Sequence, residues 1–381
     1  MRGNITRRGK NSWRLKFDVG ADANGKRQTR FATVRGKRSD AERELTRVLS
    51  QADAGVLPDD TNHTVGSYIH SWLAADTDLS PRTKERYLEL LDQYIVPRIG
   101  SVKLQKLRPA MLAAWHVELL KSGGKRGRRL APRTVGHAHR LLHRALQRAV
   151  MQETLSKNVA SIIAPPKVPD EEMAILVAEG IALALNRLEG HELFAIVTTA
   201  LGTGARRGEI LSMQWNDLDL DAGILSIVRT LEETVEGLRF KQPKTKAGRR
   251  TISLPRNVVV ALREHRIQQL QTRLSLGLGR PGPDALVFST IEGSPMSPRK
   301  LSRDWLRACA SLGLPRVRFH ALRHSHASAL IAAGVDVVSV AKRLGHAKPT
   351  ITLAVYSHAF QRDDSAAAAA IEAVMRTRKE L

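Results

Sequence analysis

The stretch Phe319-His320-Ala321-Leu322-Arg323-His324-Ser325-His326-Ala327 holds three imidazoles and a guanidinium within nine residues. Read as helix, it sets His320 and Arg323 on one face, three residues apart, while Leu322, Ala329 and Leu330 turn inward. An imidazole and a guanidinium then address the same point, which suits a phosphate. His320 and His324, at i and i+4, also permit a zinc reading. Against it, Arg323 would sit beside the cation, and the stretch carries neither carboxylate nor cysteine.

Working outward, Leu344-Gly345-His346-Ala347-Lys348-Pro349-Thr350-Ile351-Thr352-Leu353-Ala354-Val355-Tyr356 follows. Gly345 is expected to end a helix, with His346 in the turn after it. Thr350 or Thr352 then opens a helix carrying Tyr356. Upstream, Thr203-Gly204-Ala205-Arg206-Arg207-Gly208-Glu209 places Arg206 and Glu209 at i and i+3 on a helix that begins after a glycine turn. The pair Gly202 and Gly204 invites a nucleotide-loop reading, yet no strand precedes it and no Gly-Lys-Ser/Thr follows. Between these boxes, Lys241 to Pro255 has a hairpin pattern with Ala247-Gly248 near the turn. Lys244 on that hairpin could reach a ligand and act as a proton donor.

The chain has 381 residues, 42% of them hydrophobic, enough for two or three domains that each bury a core. Lys and Arg number 61 against 37 Asp and Glu, a net charge of +24. A polyanion is the expected partner, because each neutralised phosphate releases counterions. Cys309 is the only cysteine, which excludes a disulfide framework and a thiolate zinc site and points to a reducing compartment. No apolar run approaches the ~20 residues of a membrane span, and the N-terminus lacks a signal-peptide core. The expected location is the cytoplasm or the nucleoid.

Residues 1–40 hold 12 Lys or Arg against 3 acids. Their alternation puts Trp13, Leu15, Phe17 and Val19 on one strand face and Arg14 and Lys16 on the other, with Arg30 on the next basic strand. A small sheet with a basic face is predicted, covered by a helix opening at Ser39-Asp40-Ala41-Glu42. Residues 54–60 read as a linker. Residues 64–164 read as wholly helical; in the last helix Arg133, His137, Arg140, Arg144 and Arg148 recur on one side and Ala138, Leu142, Ala145 and Ala149 on the other. Lys121 to Val150 contains nine basic residues and no carboxylate, too lopsided for an ordinary solvated face. A proline-stiffened linker, Ala164 to Pro169, precedes the largest domain. That domain is expected to start with helices at 171–188 and 191–201, pass through strands at 225–254, and return to helix.

Taken in order and spacing, the Arg206–Glu209 box, the Lys244-Thr245 hairpin, His320-Ala-Leu-Arg323-His324, Leu344-Gly-His346 and Tyr356 resemble the signature boxes of the tyrosine recombinases, specifically phage-type integrases. The resemblance covers about residues 170 to 360. It implies a multi-domain, mainly α fold with α+β parts. An arm-type DNA-binding domain, a three-stranded sheet plus helix, would take residues 1–56. A helical, SAM-like core-site-binding domain would take 63–164. A mixed helical and β-hairpin catalytic domain, ending in a protomer-contact helix, would take 170–381. The implied activity is site-specific DNA integration through a 3′-phosphotyrosyl intermediate, needing neither metal, ATP nor other cofactor. Tyr356 would attack, Arg206 and Arg323 would clamp the phosphate, and Lys244 would protonate the leaving oxygen. His320 would help take the tyrosine proton, His346 would donate to the phosphate, and Glu209 would orient the first arginine. Arg14, Lys16, Arg30 and the α-helical cations from Arg133 to Arg148 would contact DNA. The implied partners are double-stranded DNA and further protomers in a tetrameric synapse, with a host bending factor and an excisionase as candidates. The alternatives are a noncatalytic DNA-binding regulator on the same fold, or the same chemistry serving chromosome-dimer resolution or conjugative transposition.

Overall fold

The computed structural model describes residues 3–21, 27–53, 63–169, 173–243, 245–356 and 365–376. Two compact units divide the chain at Asp170/Glu171.

The first unit opens with strands β1 (Gly3–Gly9), β2 (Ser12–Ala21) and β3 (Arg27–Arg35), an antiparallel sheet in the order β1-β2-β3. Helix α1 (Arg38–Asp53) lies across it. Ala41 and Val48 join buried Leu15 and Phe17, so the apolar half of the alternation packs as its period requires. Helix α1 begins one residue before the expected Ser39, with Asp40 accepting from the Lys37 N–H at 2.9 Å.

Helices α2 (Val65–Ala75), α3 (Pro81–Leu90), α4 (Val96–Ile99), α5 (Pro109–Ser122) and α6 (Pro132–Met151) follow, α3 running into α4 through a π-helical turn at Leu91–Ile95. Thr64 caps α2 in a capping box with Ser67. The next four each have a proline in their first turn, where the missing N–H costs nothing. Their core is built on Ile69, Leu91, Leu112, Trp115, Leu142 and Leu146. Two histidines sit inside it, His116 Nε2 lying 3.1 Å from His139 Nδ1.

The second unit contains α7 (Ala178–Arg187), α8 (Phe194–Thr203) and α9 (Arg207–Ile210), then strands β4 (Leu218–Asp219), β5 (Ile224–Ile227), β6 (Thr230–Thr234), β7 (Gly237–Lys241) and β8 (Arg250–Ser253). Helices α10 (Arg256–Ser275), α11 (Pro298–Ser311), α12 (Ala321–Ala332), α13 (Val337–Leu344), α14 (Pro349–Tyr356) and α15 (Ser365–Arg376) complete it. The strands form a β4-β5-β8 sheet and a separate β6-β7 hairpin. The helix expected from 171 starts only at Ala178. The chain before it is drawn into the core: Leu176 is buried, and its N–H donates to Ser325 Oγ at 2.8 Å. That tertiary bond outweighs the local helical pattern. The helix expected from 191 likewise starts at Phe194, after His191 Nδ1 accepts from the Leu193 N–H.

Candidate active site

Three turns bring the polar residues together. Helix α8 ends on Gly204, whose φ of 62° lies in the left-handed region; a Cβ there would also strike the His326 ring at 2.5 Å. Arg206 comes next, at the N-cap of α9. Helix α13 ends on Gly345, again left-handed, and His346 follows it. Helix α12 starts just after His320 and carries Arg323, His324 and His326.

Glu209 is 3% exposed and accepts from Arg206 twice, at 2.8 Å from the backbone N–H and at 2.8 Å from Nη1. Arg250 Nη2 donates to Oε2, the oxygen that also accepts from the Arg206 backbone, at 2.9 Å. Burial alone would raise the Glu209 pKa; the Arg250 hydrogen bond and charge, with Arg206, outweigh it and hold the carboxyl below its ordinary range. Arg206 keeps 41% of its side chain exposed and also donates to the Gly345 carbonyl at 3.2 Å. Arg323 is buried and donates to Gly204 O at 2.7 Å and Leu344 O at 2.8 Å. Burial and neighbouring Arg206 push its pKa down to about 9, so it stays charged at neutral pH.

The same guanidinium donates to His346 Nε2 at 2.9 Å. The proton of a neutral His346 therefore sits on Nδ1, which donates to Thr352 Oγ1 at 2.8 Å. Burial, Arg323, Arg206 and Arg250 push the His346 pKa down to about 4. His326 is held in one tautomer: Nδ1 donates to Leu201 O, and Nε2 accepts from Arg343 Nε. His320 sits exposed at the head of α12, its pKa lowered by partial desolvation and by Arg323, Arg206 and Arg207.

Tyr356 closes α14. Its hydroxyl lies 2.6 Å from His324 Nδ1, and only 3% of the residue is exposed, among Ala327, Ile331, Val340 and Leu344. Burial outweighs the pull of Arg323, and the Tyr356 pKa is pushed up to about 12. The imidazole on the hydroxyl belongs to His324, not to His320, whose ring stands 5.3 Å from that of His324. Burial, His320 and Arg323 push His324 down to about 4. Arg206, Glu209, His320, Arg323 and His346 thus gather around adjoining turns, while Tyr356 is stored just beneath them. Lys244 lies outside the described residues. Arg250, His324 and Thr352 were not singled out from sequence for these roles, and the hairpin expected over Lys241 to Pro255 does not form, since β7 pairs with β6 and β8 with β5. Among the described residues no group of three His, Cys, Asp or Glu is poised to hold a metal ion.

In the first unit, Arg133, His137, Arg140, Arg144 and Arg148 are all exposed on α6, opposite buried Ala138, Leu142, Ala145 and Ala149. Arg144 lies over Trp72 and Tyr87 and donates to the Tyr87 hydroxyl at 3.3 Å. On the sheet, Arg14 is cross-strand from Thr33 and Lys16 from Phe31, on the outer face, where Arg14 stacks 4.1 Å from the Phe31 ring. Arg30 takes the other face. It pairs with Phe17, and directly opposed residues share a face, so Arg30 lies on the side away from Arg14 and Lys16.

The buried imidazoles make stability depend on pH. His326, and His139 under burial and the charges of His116, His143 and Arg140, are both pushed down to about 4. In an unfolded chain an imidazole titrates near ~6.5. Between those values the unfolded state binds protons that the folded state refuses, so stability is full above pH ~6.5 and falls as pH drops towards ~4. Each group contributes at most about 3 kcal/mol. Thermal melts at pH 7, 6 and 5 should show steadily lower midpoints; a midpoint unchanged across that range would refute neutral burial.

Comparison with known proteins matches residues 181–362 to the phage integrase family and residues 64–120 to a phage integrase N-terminal SAM-like domain. A tyrosine recombinase XerC-like protein of Caldanaerobacter subterraneus subsp. tengcongensis is 27% identical over 376 residues, covering 93% of this chain and 94% of that protein. An integrase of Streptomyces ambofaciens is 25% identical over 361 residues, 90% and 88% of the two chains. Among solved structures, the Tn1549 transposon integrase in complex with a circular intermediate DNA superposes with a TM-score of 0.70 at 20% identity, over 82% of this chain and 99% of that one. A lambda integrase tetramer bound to a Holliday junction gives 0.56 at 17% identity, over 91% and 96%. These structural likenesses are of fold.

Proposed function

This chain belongs to the phage integrase family of tyrosine recombinases, and from that premise we infer a site-specific DNA recombinase whose nucleophile is Tyr356. One observation carries the site assignment: Arg206 and Arg323 are anchored on neighbouring carbonyls of a single turn, Gly345 and Leu344, directly ahead of the helix that bears the tyrosine.

The chemistry follows from the residues. A phosphodiester brings one negative charge into a pocket of fixed guanidinium groups, where the charge developing in the transition state needs no further reorganisation. Arg206, with its exposed side chain, receives the nonbridging oxygens first, and Arg323 supports them from beneath. His346 donates to the phosphate from Nε2 after its proton has moved there from Nδ1, which then accepts from the Thr352 hydroxyl, and its bond from Arg323 is given up. Lys244 protonates the 5′-oxygen that leaves, and His320 or His324 takes the phenolic proton. The phosphotyrosyl bond keeps the energy of the broken phosphodiester, so rejoining requires neither ATP nor a metal. With Tyr356 buried, α14 has to move to present the hydroxyl, and reaction awaits a bound site. The basic face of α6 supports the reading that residues 63–164 grip the core site. Arg14 and Lys16 support an arm-site role for residues 1–56. The chain binds duplex DNA and works as a multimer on it. In the proposed assembly four protomers synapse, α15 (with Ile371, Val374 and Met375 exposed) packs on a neighbour, and a bending factor and an excisionase take part. No described helix is long and apolar enough to cross a membrane; a cytoplasmic, nucleoid-bound protein is the corresponding proposal.

The full chain, given a nicked duplex carrying its core site, should yield a detergent-resistant protein–DNA adduct joined at the 3′-phosphate. An adduct at the 5′ end, or none, would overturn the reading. Deleting residues 1–55 should abolish integration while leaving core-site cleavage within roughly tenfold, since phosphate contacts made elsewhere still position the duplex. Equal loss of both would remove the arm-site role.

A further inference from the structure

The last carbonyls of α13 are fully accounted for. Ala341 O and Lys342 O accept backbone N–H groups from Gly345 and His346. The next three each accept from a different arginine: Arg343 O from Arg250 Nε at 2.7 Å, Leu344 O from Arg323 Nη2 at 2.8 Å, and Gly345 O from Arg206 Nη2 at 3.2 Å. These are the orphan acceptors at the negative end of a helix dipole, which favours cations. Arg206 and Arg323 are the two residues read above as a phosphate clamp. Arg250 is the third, and neither composition nor motif had marked it.

Arg250 cannot do what Arg206 does, because only 6% of its side chain is exposed. Its hydrogen bonds all point inward: Nε to Arg343 O, Nη1 to Gly248 O and Glu209 Oε1, and Nη2 to Glu209 Oε2. Glu209 in turn holds both the backbone and the guanidinium of Arg206. A rigid fork therefore ties the carboxylate that orients one clamp arginine to the helix end that anchors both. The packing is close: a Cβ on Gly345 would lie 2.8 Å from Arg250 Nη1 and 2.9 Å from Ala247 O. Gly345 is needed there for space as well as for its φ of 68°. We propose that Arg250 is a positioning residue of the recombination reaction, locking the C-terminus of α13 to Glu209 and so fixing Arg206 and Arg323 at the spacing that grips the scissile phosphate. Arg250 touches neither DNA nor nucleophile; it acts through its neighbours. Because its planar, two-pronged geometry does the work, lysine is not a substitute.

This inference rests on Arg206 and Arg323 being the clamp, and the test separates the two. Full-length Arg250→Lys, which keeps the charge and loses the fork, is compared with the parent on two nicked core-site substrates. One carries the natural scissile phosphate; the other carries a methylphosphonate there, in which a neutral methyl replaces a charged nonbridging oxygen. The charge that the clamp must neutralise is then gone. Core-site affinity should stay within about twofold, because the phosphate contacts that set it lie elsewhere. Cleavage of the natural phosphate should fall by about 10²-fold, the loss typical of one misplaced oxyanion donor. On the methylphosphonate the parent and the variant should differ by less than about tenfold, since misplaced clamp donors then cost less. The readout is the ratio of the two rates within each protein, so partial unfolding, which lowers both rates alike, cancels. A ratio unchanged from the parent, or full activity on the natural phosphate, would overturn the proposal. Arg206→Ala serves as the control: if its deficit persists on the methylphosphonate, the clamp reading itself fails; if only Arg250→Lys keeps its deficit, positioning by Arg250 fails.

Discussion

A Tyr356→Phe protein should bind and assemble on its DNA site as the parent does, yet trap no covalent complex on a nicked core-site substrate. The substitution removes one oxygen from a residue that is 3% exposed and packed among Ala327, Ile331, Val340 and Leu344, and the ring that remains fills the same space. The structural cost is the hydrogen bond to His324 Nδ1, about 1 kcal/mol for a pair of neutral groups. Folding and DNA grip are therefore nearly untouched. The chemical cost is complete, because no phosphodiester bond to the chain can form without that oxygen. The cleavage rate should drop to the detection limit, roughly 10⁴-fold or more, in keeping with the accelerations that enzymes supply. Gel-shift titration and a denaturing gel of the trapped product measure the two halves separately. A covalent band from the phenylalanine protein would remove Tyr356 as nucleophile. A loss of binding equal to the loss of trapping would mean that the tyrosine serves the fold.

How much of this was legible beforehand depends on how far each contact reaches along the chain. The strand alternation around Leu15 and Phe17 and the helical repeat from Arg133 to Arg148 are local patterns, and both appear with the expected faces. His320, Arg323, Gly345 and His346 could be recognised because they lie in short boxes whose order carries information. Arg250 could not: its partners Glu209 and Arg343 are 41 and 93 residues away, and its place follows only once β8 lies beside α13. His324 has the same history, since it neighbours Arg323 in sequence but earns its role from a tyrosine 32 residues later. The face of Arg30 follows from the β2–β3 register. The late start of α7 turned on one bond to Ser325. At α7 a long-range hydrogen bond overrode a sound local preference, as tertiary context routinely does.

Arg323 should prove the most sensitive cation of the site, and in two measurements at once. Its guanidinium supplies Gly204 O, Leu344 O and His346 Nε2, linking the end of α8, the end of α13 and the turn before α14. Arg323→Ala leaves those acceptors without donors in a buried site, at about 1–3 kcal/mol for each carbonyl that water cannot reach. Allowing for partial solvation, a loss of about 2–4 kcal/mol is expected, or roughly 5–15 °C in the midpoint of the C-terminal unit. Arg323→Lys separates stability from catalysis. A lysine restores the charge and reaches one carbonyl, so most of the stability should return. It cannot hold two carbonyls and an imidazole in one plane. Without that plane, the donor beneath the phosphate is misplaced and the His346 ring loses its anchor, and cleavage should remain about 10²–10³-fold below the parent. Calorimetry and single-turnover cleavage read the two effects. If the lysine protein cleaved within tenfold of the parent, a point charge would suffice at this position and the geometry of the arginine would carry no catalytic meaning. If both variants melted like the parent, the three bonds would be dispensable, and the junction of α8, α13 and α14 would have to be held by something other than Arg323.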